Sequence, residues 1–170
     1  MSYPARIIER LYVGPGCIDL TDYDIDVDFV ISLETDCPVR GAQRLVIPIN
    51  NLSIEPIYNA GKAIEKLYLN HFVGKKSVYV HCYAGCGRTG TIVVAYLILF
   101  HGYNLEKALG LYYYIRGCGP ESWDQHKFLD TTWRLVSNGM DPLKILEAIR
   151  GSSDLGEYIG FALRTLGGMR

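Results

Sequence analysis

The sequence predicts an α/β fold, and three observations lead to that prediction. Short β-rich runs bounded by turn residues occupy the first half of the 170-residue chain. Helical periodicity with helix-capping residues dominates from Thr89 onward. Between the two halves, one β-rich run leads through a glycine-rich loop into an apolar helix. This order of elements is typical of an α/β domain, and at this length we expect a single domain over residues 1–170.

The first half contains four runs that we predict to be strands, at residues 7–13, 27–33, 44–49 and 77–81. The first run is closed by Gly14-Pro15-Gly16, and the last follows a turn that begins at Gly74. A helix is predicted between the last two strands. Its apolar residues recur with a period near 3.6 between positions 57 and 72, and Pro56 stands close to its start.

The second half is predicted to form five helices, at residues 91–101, 104–116, 122–138, 142–150 and from about 153 to 166. We expect Asn104 to cap the second of these helices and Asp141-Pro142 to open the fourth. Either Ser152 or Ser153 is expected to cap the last helix.

Composition limits the classes of function. There are 17 Lys and Arg against 18 Asp and Glu, so the formal net charge is −1 and the chain lacks the positive surface of a general nucleic-acid binder. The longest apolar run, residues 92–100, is well short of the ~20 residues needed to span a bilayer. No apolar stretch of signal-peptide length follows Met1. We therefore expect a soluble, cytoplasmic protein without nucleic-acid or membrane partners.

Five cysteines are present: Cys17, Cys37, Cys82, Cys86 and Cys118. Because the count is odd and no export signal is apparent, we expect reduced thiols, one of them reactive. A structural zinc site usually has two clean ligand pairs, whereas this chain offers one Cys-x3-Cys pair with scattered Cys118 and His126. We predict no metal and no other cofactor.

The chemistry is concentrated in residues 80–91, Val-His-Cys-Tyr-Ala-Gly-Cys-Gly-Arg-Thr-Gly-Thr, which contain three glycines within six positions. A loop of this composition between a strand and a helix lets successive backbone N–H groups point inward and bind an anion. Cys82 opens the loop, where those N–H groups would stabilise a nucleophilic thiolate. Arg88 could bind two oxygens of a tetrahedral anion at once.

This loop resembles the signature of the cysteine-dependent protein tyrosine and dual-specificity phosphatases, His-Cys-x5-Arg-(Ser/Thr)-Gly, which is matched at His81, Cys82, Arg88, Thr89 and Gly90. Residues 116–129 resemble the Arg-Pro…Gln segment of that family, although Gly117 stands where proline is usual. Residues 11–14 resemble the first strand of the small dual-specificity phosphatases.

The resemblance covers about residues 5–137 and implies a central, mostly parallel β-sheet flanked by helices. The phosphate-binding loop would connect one strand to one helix. Residues 138–170 lie outside the resemblance and would form a C-terminal helical extension.

The resemblance also implies roles for individual residues. Cys82 would attack phosphorus and become a phosphocysteine, while Arg88 would hold the phosphoryl group. Backbone N–H groups would help to hold it, from Tyr83, Ala84, Gly85, Cys86, Gly87 and Arg88. The Thr89 hydroxyl would donate to the Cys82 sulfur, Gln125 would position the hydrolytic water, and His81 would orient the loop from below. A plain helix cap at Thr89 and a solvent-facing helix residue at Gln125 are the alternatives.

The general acid is where the sequence departs from the family pattern. The family places an aspartate after the strand that precedes the long helix, and here that position is Asn51, whose amide cannot protonate a leaving oxygen. Glu55, or Asp124 beside Gln125, could replace it, or the enzyme could work without an acid on good leaving groups. Since a phenol leaves more readily than an alkoxide, Asn51 predicts a preference for phosphotyrosine.

We therefore predict a phosphomonoester hydrolase that acts on phosphorylated proteins. A phosphate-binding pseudophosphatase and an RNA 5′-triphosphatase on the same scaffold are the alternatives; Asn51 favours the first, and the net charge of −1 disfavours the second. Cys86 is either a resolving thiol that forms a reversible disulfide with Cys82 or an ordinary loop residue. Because neither Tyr83 nor Cys86 adds positive charge, a highly anionic inositol-lipid headgroup is not favoured.

Overall fold

A five-stranded sheet forms the centre of the computed structural model, which describes residues 3–168. Its strands are β1 (Ala5–Ile8), β2 (Leu11–Gly14), β3 (Phe29–Ser32), β4 (Gln43–Val46) and β5 (Val78–His81). Their spatial order is β1-β2-β5-β3-β4; β1 pairs antiparallel with β2, and the other three pairings are parallel. The predicted α/β fold with a mostly parallel sheet is confirmed.

One strand prediction is wrong. The run at residues 7–13 is not one strand but the two antiparallel strands β1 and β2, in which Ala5 pairs with Val13. The chain reverses at Arg10, which adopts a left-handed conformation with φ of 62°. Because non-glycine residues rarely adopt this conformation and the run contains no Gly, Asn or Asp, the turn carries no signal in the sequence.

Six α-helices follow or interrupt the strands: α1 (Ile57–Leu67), α2 (Gly87–Phe100), α3 (Leu105–Arg116), α4 (Trp123–Ser137), α5 (Pro142–Gly151) and α6 (Leu155–Gly168). Helix α1 continues into a π-helical turn at Tyr68–Val73, and a 3₁₀ turn covers Leu20–Tyr23. The predicted C-terminal helical extension is therefore α5 and α6. Within residues 3–168, no helix is both long and apolar enough to cross a membrane.

Capping side chains mark the starts of the four helices α3 to α6. The Asn104 side chain accepts a hydrogen bond from the N–H of Lys107 (2.8 Å), as predicted for the start of α3. Helix α6 begins differently from the prediction, because the Asp154 carboxylate, and neither Ser152 nor Ser153, accepts the N–H of Glu157 (2.8 Å).

Helix α2 is the most buried helix and fixes the position of the glycine-rich loop. From Gly87 to Leu99 every residue except Arg88 is buried, and the helix packs against β5, α1, α3 and α4. It begins four residues before the predicted start at position 91, so that the end of the loop forms its first turn. The loop is thus attached to rigid elements at both ends, β5 and α2.

Gly85 is the tightest point of this loop. Its φ is +72°, and a Cβ there would lie 2.3 Å from the carbonyl carbon and oxygen of Gly14 at the end of β2. Both constraints require glycine, since a side chain would be strained and would collide with backbone.

We expect Gly85→Ala to lower the free energy of unfolding by about 1–3 kcal/mol, because the substitution combines a strained φ with a backbone collision. Gly110→Ala is the matched control: Gly110 lies inside α3 with open space around its Cβ position, so alanine should stabilise the helix by about 1 kcal/mol. Urea unfolding of both variants measures the difference, and equal effects would contradict the tight packing of Gly85 against Gly14.

His81, the last residue of β5, is fully buried beneath the loop. Its Nε2 lies 2.6 Å from the Ser32 hydroxyl and its Nδ1 lies 3.0 Å from the carbonyl oxygen of Cys82. Burial lowers the pKa of His81 below its usual value, so the ring is neutral at pH 7. A neutral ring can donate from Nδ1 to the Cys82 carbonyl while accepting from Ser32.

The lowered pKa of His81 predicts a pH-dependent stability. As pH falls below about 6.5, the unfolded chain binds a proton at this position before the native state does, so the free energy of unfolding should decrease toward the lowered native pKa. His81→Asn should remove part of this decrease between pH 7.5 and 5, measured by urea unfolding at each pH. The rest should remain because burial also lowers the pKa of His71, and that of His101 to about 4. An unchanged slope would show that His81 is not the titrating group.

Candidate active site

A cavity of about 570 Å³ opens beyond the carboxyl ends of β3 and β5, where ligands of parallel sheets usually bind. Its walls come from the segments after β3, β4 and β5 and from the segment before α4. The lining residues are Glu34, Thr35, Asp36, Pro48, Ile49, Asn50, Asn51, Cys82, Tyr83, Ala84, Cys86, Gly87, Arg88 and Glu121. The structure therefore brings the predicted nucleophile, the predicted phosphate-binding arginine and the residue at the expected acid position into one cavity.

The carbonyl groups of the loop after β5 are all bonded to the surrounding scaffold. Those of Cys86 and Gly87 accept from the Gly90 N–H (2.8 Å) and the Thr91 hydroxyl (2.7 Å) of α2. That of Tyr83 accepts from the N–H of Gly16 (3.0 Å).

The carbonyls of Ala84 and Gly85 are held by two buried side chains of α3. Arg116 Nη2 donates to Ala84 (3.1 Å), Arg116 Nε donates to Gly85 (3.4 Å), and the Tyr112 hydroxyl donates to Gly85 (2.9 Å). Burial raises the pKa of Tyr112 well above its usual value, so its phenol stays protonated as a donor. In a trans peptide the N–H points opposite to the preceding carbonyl. Five consecutive carbonyls held by the scaffold therefore leave the N–H groups of residues 84–88 directed away from it.

Cys82 and Arg88 both line the cavity. Cys82 is a free thiol with only 3% of its surface exposed, so it lies at the bottom of the cavity. Arg88 Nη1 donates to the carbonyl of Ile49 (3.0 Å), which holds the guanidinium across the cavity. Its buried Nε has no hydrogen-bond partner in the described part of the chain.

Thr89 and Gln125 lie next to the cavity and do not line it. The Thr89 hydroxyl is buried and, among residues 3–168, has no hydrogen-bond partner, so it is uncommitted. Gln125 is fully buried, and its Nε2 lies 3.1 Å from the Cβ position of Gly87. Its Oε1 accepts the N–H groups of Glu121 (3.0 Å) and Ser122 (3.2 Å), which fixes the side chain against the loop.

Asn51 lines the cavity, whereas the two carboxylates suggested as substitutes for it do not. The Glu55 carboxylate accepts the N–H groups of Ile57 (2.8 Å) and Leu155 (2.6 Å) at two helix N-termini. Asp124 lies in the first turn of α4, outside the cavity lining. The structure does not place either of them beside Cys82.

Sequence reasoning missed three carboxylates that do line the cavity: Glu34, Asp36 and Glu121. Glu34 is buried and accepts the N–H groups of Asp36 (2.6 Å) and Cys37 (3.0 Å), which shapes the loop after β3. Glu121 Oε1 lies 3.4 Å from the Cβ position of Gly87, on the same side as Gln125. The sequence did offer one signal for Glu121, since it stands four residues before Gln125 in the segment that resembles the family.

The expectation of free thiols is wrong for four of the five cysteines. Cys17 is bonded to Cys37, with Cα atoms 4.5 Å apart, and Cys86 is bonded to Cys118, with Cα atoms 5.3 Å apart. The proposed Cys82–Cys86 disulfide is therefore excluded while Cys86 is paired with Cys118. Sequence separations of 20 and 32 residues gave no indication of either pairing, because both depend on how the loops meet in the fold.

Comparison with known proteins identifies the family of the chain. The family model of the dual specificity phosphatase catalytic domain matches residues 19–129, a span that includes Cys82, Arg88 and Gln125. The chain is similar to the tyrosine phosphatase homologue 123R of Invertebrate iridescent virus 6, with 27% identity over 105 residues, which are 62% of this chain and 74% of that protein.

Two further similarities concern a lipid phosphatase and a solved structure. Phosphatidylglycerophosphate phosphatase PTPMT1 of Arabidopsis thaliana is 38% identical over 78 residues, which are 45% of this chain and 22% of that protein. The crystal structure of Tk-PTP in its active form matches with a TM-score of 0.66 and 25% identity, covering 76% of this chain and 95% of that one. Since the family model spans more than half of the chain and includes the loop that holds Cys82, the protein belongs to the dual-specificity phosphatases and is a phosphatase enzyme.

Proposed function

We propose that the protein hydrolyses phosphomonoesters on phosphorylated proteins, prefers phosphotyrosine, and works through a phosphocysteine intermediate on Cys82. The observation that carries this proposal is the buried free thiol of Cys82, at the start of a loop whose carbonyls are all bonded away from the cavity. A thiolate there is next to N–H groups and to Arg88, which can hold the three equatorial oxygens of a phosphoryl group in transfer.

We assign the role of the missing acid to Glu121, because it lines the cavity on the same side of the loop as Gln125. In the first step the Cys82 sulfur forms a bond to phosphorus while the bond to the leaving oxygen breaks, and protonated Glu121 gives its proton to that oxygen. In the second step a water held by Gln125 gives a proton to the Glu121 carboxylate and bonds to phosphorus. The sulfur–phosphorus bond then breaks, which releases phosphate and returns the thiolate. The uncommitted Thr89 hydroxyl could donate to the departing sulfur.

The charges and depth of the cavity support a protein substrate. In the described lining, three carboxylates (Glu34, Asp36 and Glu121) accompany a single cation, Arg88. A lipid headgroup with a second phosphate would meet carboxylates instead of further cations, which disfavours such a substrate despite the similarity to a phosphatidylglycerophosphate phosphatase. Because Cys82 is only 3% exposed, the longer side chain of phosphotyrosine reaches it more easily than that of phosphoserine.

The expected cytoplasmic location stays an inference from the sequence. The two disulfides weigh against it, because outside hyperthermophiles such bonds are typical of oxidising compartments.

We expect Cys82→Ser to lower kcat on para-nitrophenyl phosphate on the order of 10⁴-fold, because a serine hydroxyl is not ionised in this loop. Binding of tungstate, measured by calorimetry, should survive, since the N–H groups and Arg88 remain. Arg88→Ala should weaken both binding and turnover, and Arg88→Lys should fall between because it keeps the charge without the two-pronged geometry.

EDTA should leave the wild-type rate on para-nitrophenyl phosphate unchanged. Substantial activity in Cys82→Ser, or inhibition by the chelator, would disprove the covalent mechanism.

The role of Glu121 predicts a dependence on the leaving group. In Glu121→Gln the activation barrier should rise by up to about 1.4 kcal/mol for each unit by which the pKa of the leaving alcohol increases. In the wild type the barrier should change little across the same series of leaving groups. The measurement is kcat/KM, which reports the first chemical step, over a series of aryl and alkyl phosphates. Asp124→Asn is the matched control, because this carboxylate is close in sequence and lies outside the cavity lining.

In the Glu121→Gln background, Asn51→Asp should restore an acid at the position of the family pattern and raise the rate mainly for poor leaving groups. If log kcat/KM falls with leaving-group pKa at the same slope in Glu121→Gln and in the wild type, Glu121 is not the acid.

A further inference from the structure

The segment between β4 and α1, residues 49–55, contributes Ile49, Asn50 and Asn51 to the cavity and is tied to two predicted catalytic side chains. The carbonyl of Ile49 accepts from Arg88 Nη1 (3.0 Å), and the carbonyl of Ser53 accepts from Gln125 Nε2 (3.4 Å). The segment closes on itself because the N–H of Asn50 donates to the Glu55 carbonyl (2.8 Å). Its position therefore decides where the Arg88 guanidinium is held.

The Glu55 side chain fixes the far end of this segment to two helices at once. One carboxylate oxygen accepts the N–H of Ile57, the first residue of α1, at 2.8 Å. The other accepts the N–H of Leu155, the first residue of α6, at 2.6 Å. Backbone N–H groups at a helix start lack partners within the helix and favour a negative charge. One carboxylate thus satisfies two helix N-termini that are 98 residues apart in the sequence.

Helix α6 is itself held firmly, so it can act as an anchor. The Tyr158 hydroxyl is fully buried and lies 2.9 Å from the hydroxyl of Thr132 on α4. Helix α4 also carries Gln125. The segment 49–55 is therefore bonded to the α4–α6 pair at two points, through Ser53 and through Glu55.

We propose that the C-terminal helix α6 fixes the shape of the catalytic cavity. Glu55 is the positioning residue: its bond to α6 keeps residues 49–55 in place, and these residues in turn hold Arg88. Without the bond between Glu55 and Leu155, the segment would be free to shift. The Ile49 carbonyl would then no longer hold the guanidinium in place. The inference rests on the proposed function in one respect, since Arg88 is taken to bind the phosphoryl group.

Leu155→Pro tests the contact directly. Proline fits the first position of a helix and removes only the backbone N–H that Glu55 accepts, apart from the change of side chain. Leu155→Ala is the matched control, because it shortens the same buried side chain and keeps the N–H. We expect kcat/KM on para-nitrophenyl phosphate to be about tenfold lower in Leu155→Pro than in Leu155→Ala, in line with the loss of a hydrogen bond to a charged group.

The inhibition constant of vanadate is the second readout, because it reports the placement of Arg88 and does not respond to lower stability in a protein that is still folded. It should rise in Leu155→Pro and stay at the wild-type value in Leu155→Ala, with circular dichroism used to choose a temperature at which every variant is folded. A general-acid role for Glu55 would instead leave Leu155→Pro equal to its control.

Glu55 supplies an independent pair of variants in case Leu155→Pro does not fold. Glu55→Ala should reproduce the roughly tenfold loss and the weaker vanadate binding, and Glu55→Gln should lie between, because its amide keeps one acceptor oxygen. Equal kcat/KM and vanadate inhibition in the two Leu155 variants, or a folded Glu55→Ala with wild-type values, would overturn the positioning role. An inactive wild type would instead overturn the proposed function and not this contact.

Discussion

The site depends on the direction of five peptide groups. A glycine-rich loop has no intrinsic preference for directing its carbonyls away from the cavity. Without the rest of the fold, the loop after β5 would sample many conformations in water. The fold selects one of them by offering each carbonyl a donor. The buried guanidinium of Arg116 is the most consequential donor, because it serves two adjacent carbonyls and also donates to the carbonyl of Tyr3 near the N-terminus. A permanent positive charge therefore lies beneath a loop that is arranged to bind an anion.

The sequence was most informative where the chemistry is local. The strand before the glycine-rich loop, the presence of a helix after it and the cap at Asn104 all follow from short-range patterns, and the structure contains each of them. What could not be predicted depends on contacts between distant segments. The two disulfides, the orientation of the Glu121 side chain and the contact from Glu55 to Leu155 join residues that only the complete fold brings together.

Two local errors have a different origin. The hairpin at Arg10 and the early start of α2 at Gly87 both occur where tertiary contacts override intrinsic preference. In the first case an arginine takes a conformation that glycine or asparagine usually supplies. In the second, two glycines lie within the first helical turn because that turn must approach the Gln125 side chain and Pro120 closely. Only the second departure lies at the site, where close approach matters more than propensity.

Because Cys86 is paired with Cys118, the catalytic thiol has no neighbouring free thiol with which it could form a protective disulfide. All four other cysteines are engaged in disulfides, so a Cys82 that gains one oxygen from a peroxide cannot be trapped by a second free thiol of the same chain. Reduction of that sulfenic acid back to the thiol would then need an external thiol, before further oxygen atoms make the damage permanent. In an oxidising compartment each molecule would then lose activity independently as its Cys82 is oxidised. The concentration of small thiols around the protein would set how long the enzyme stays active.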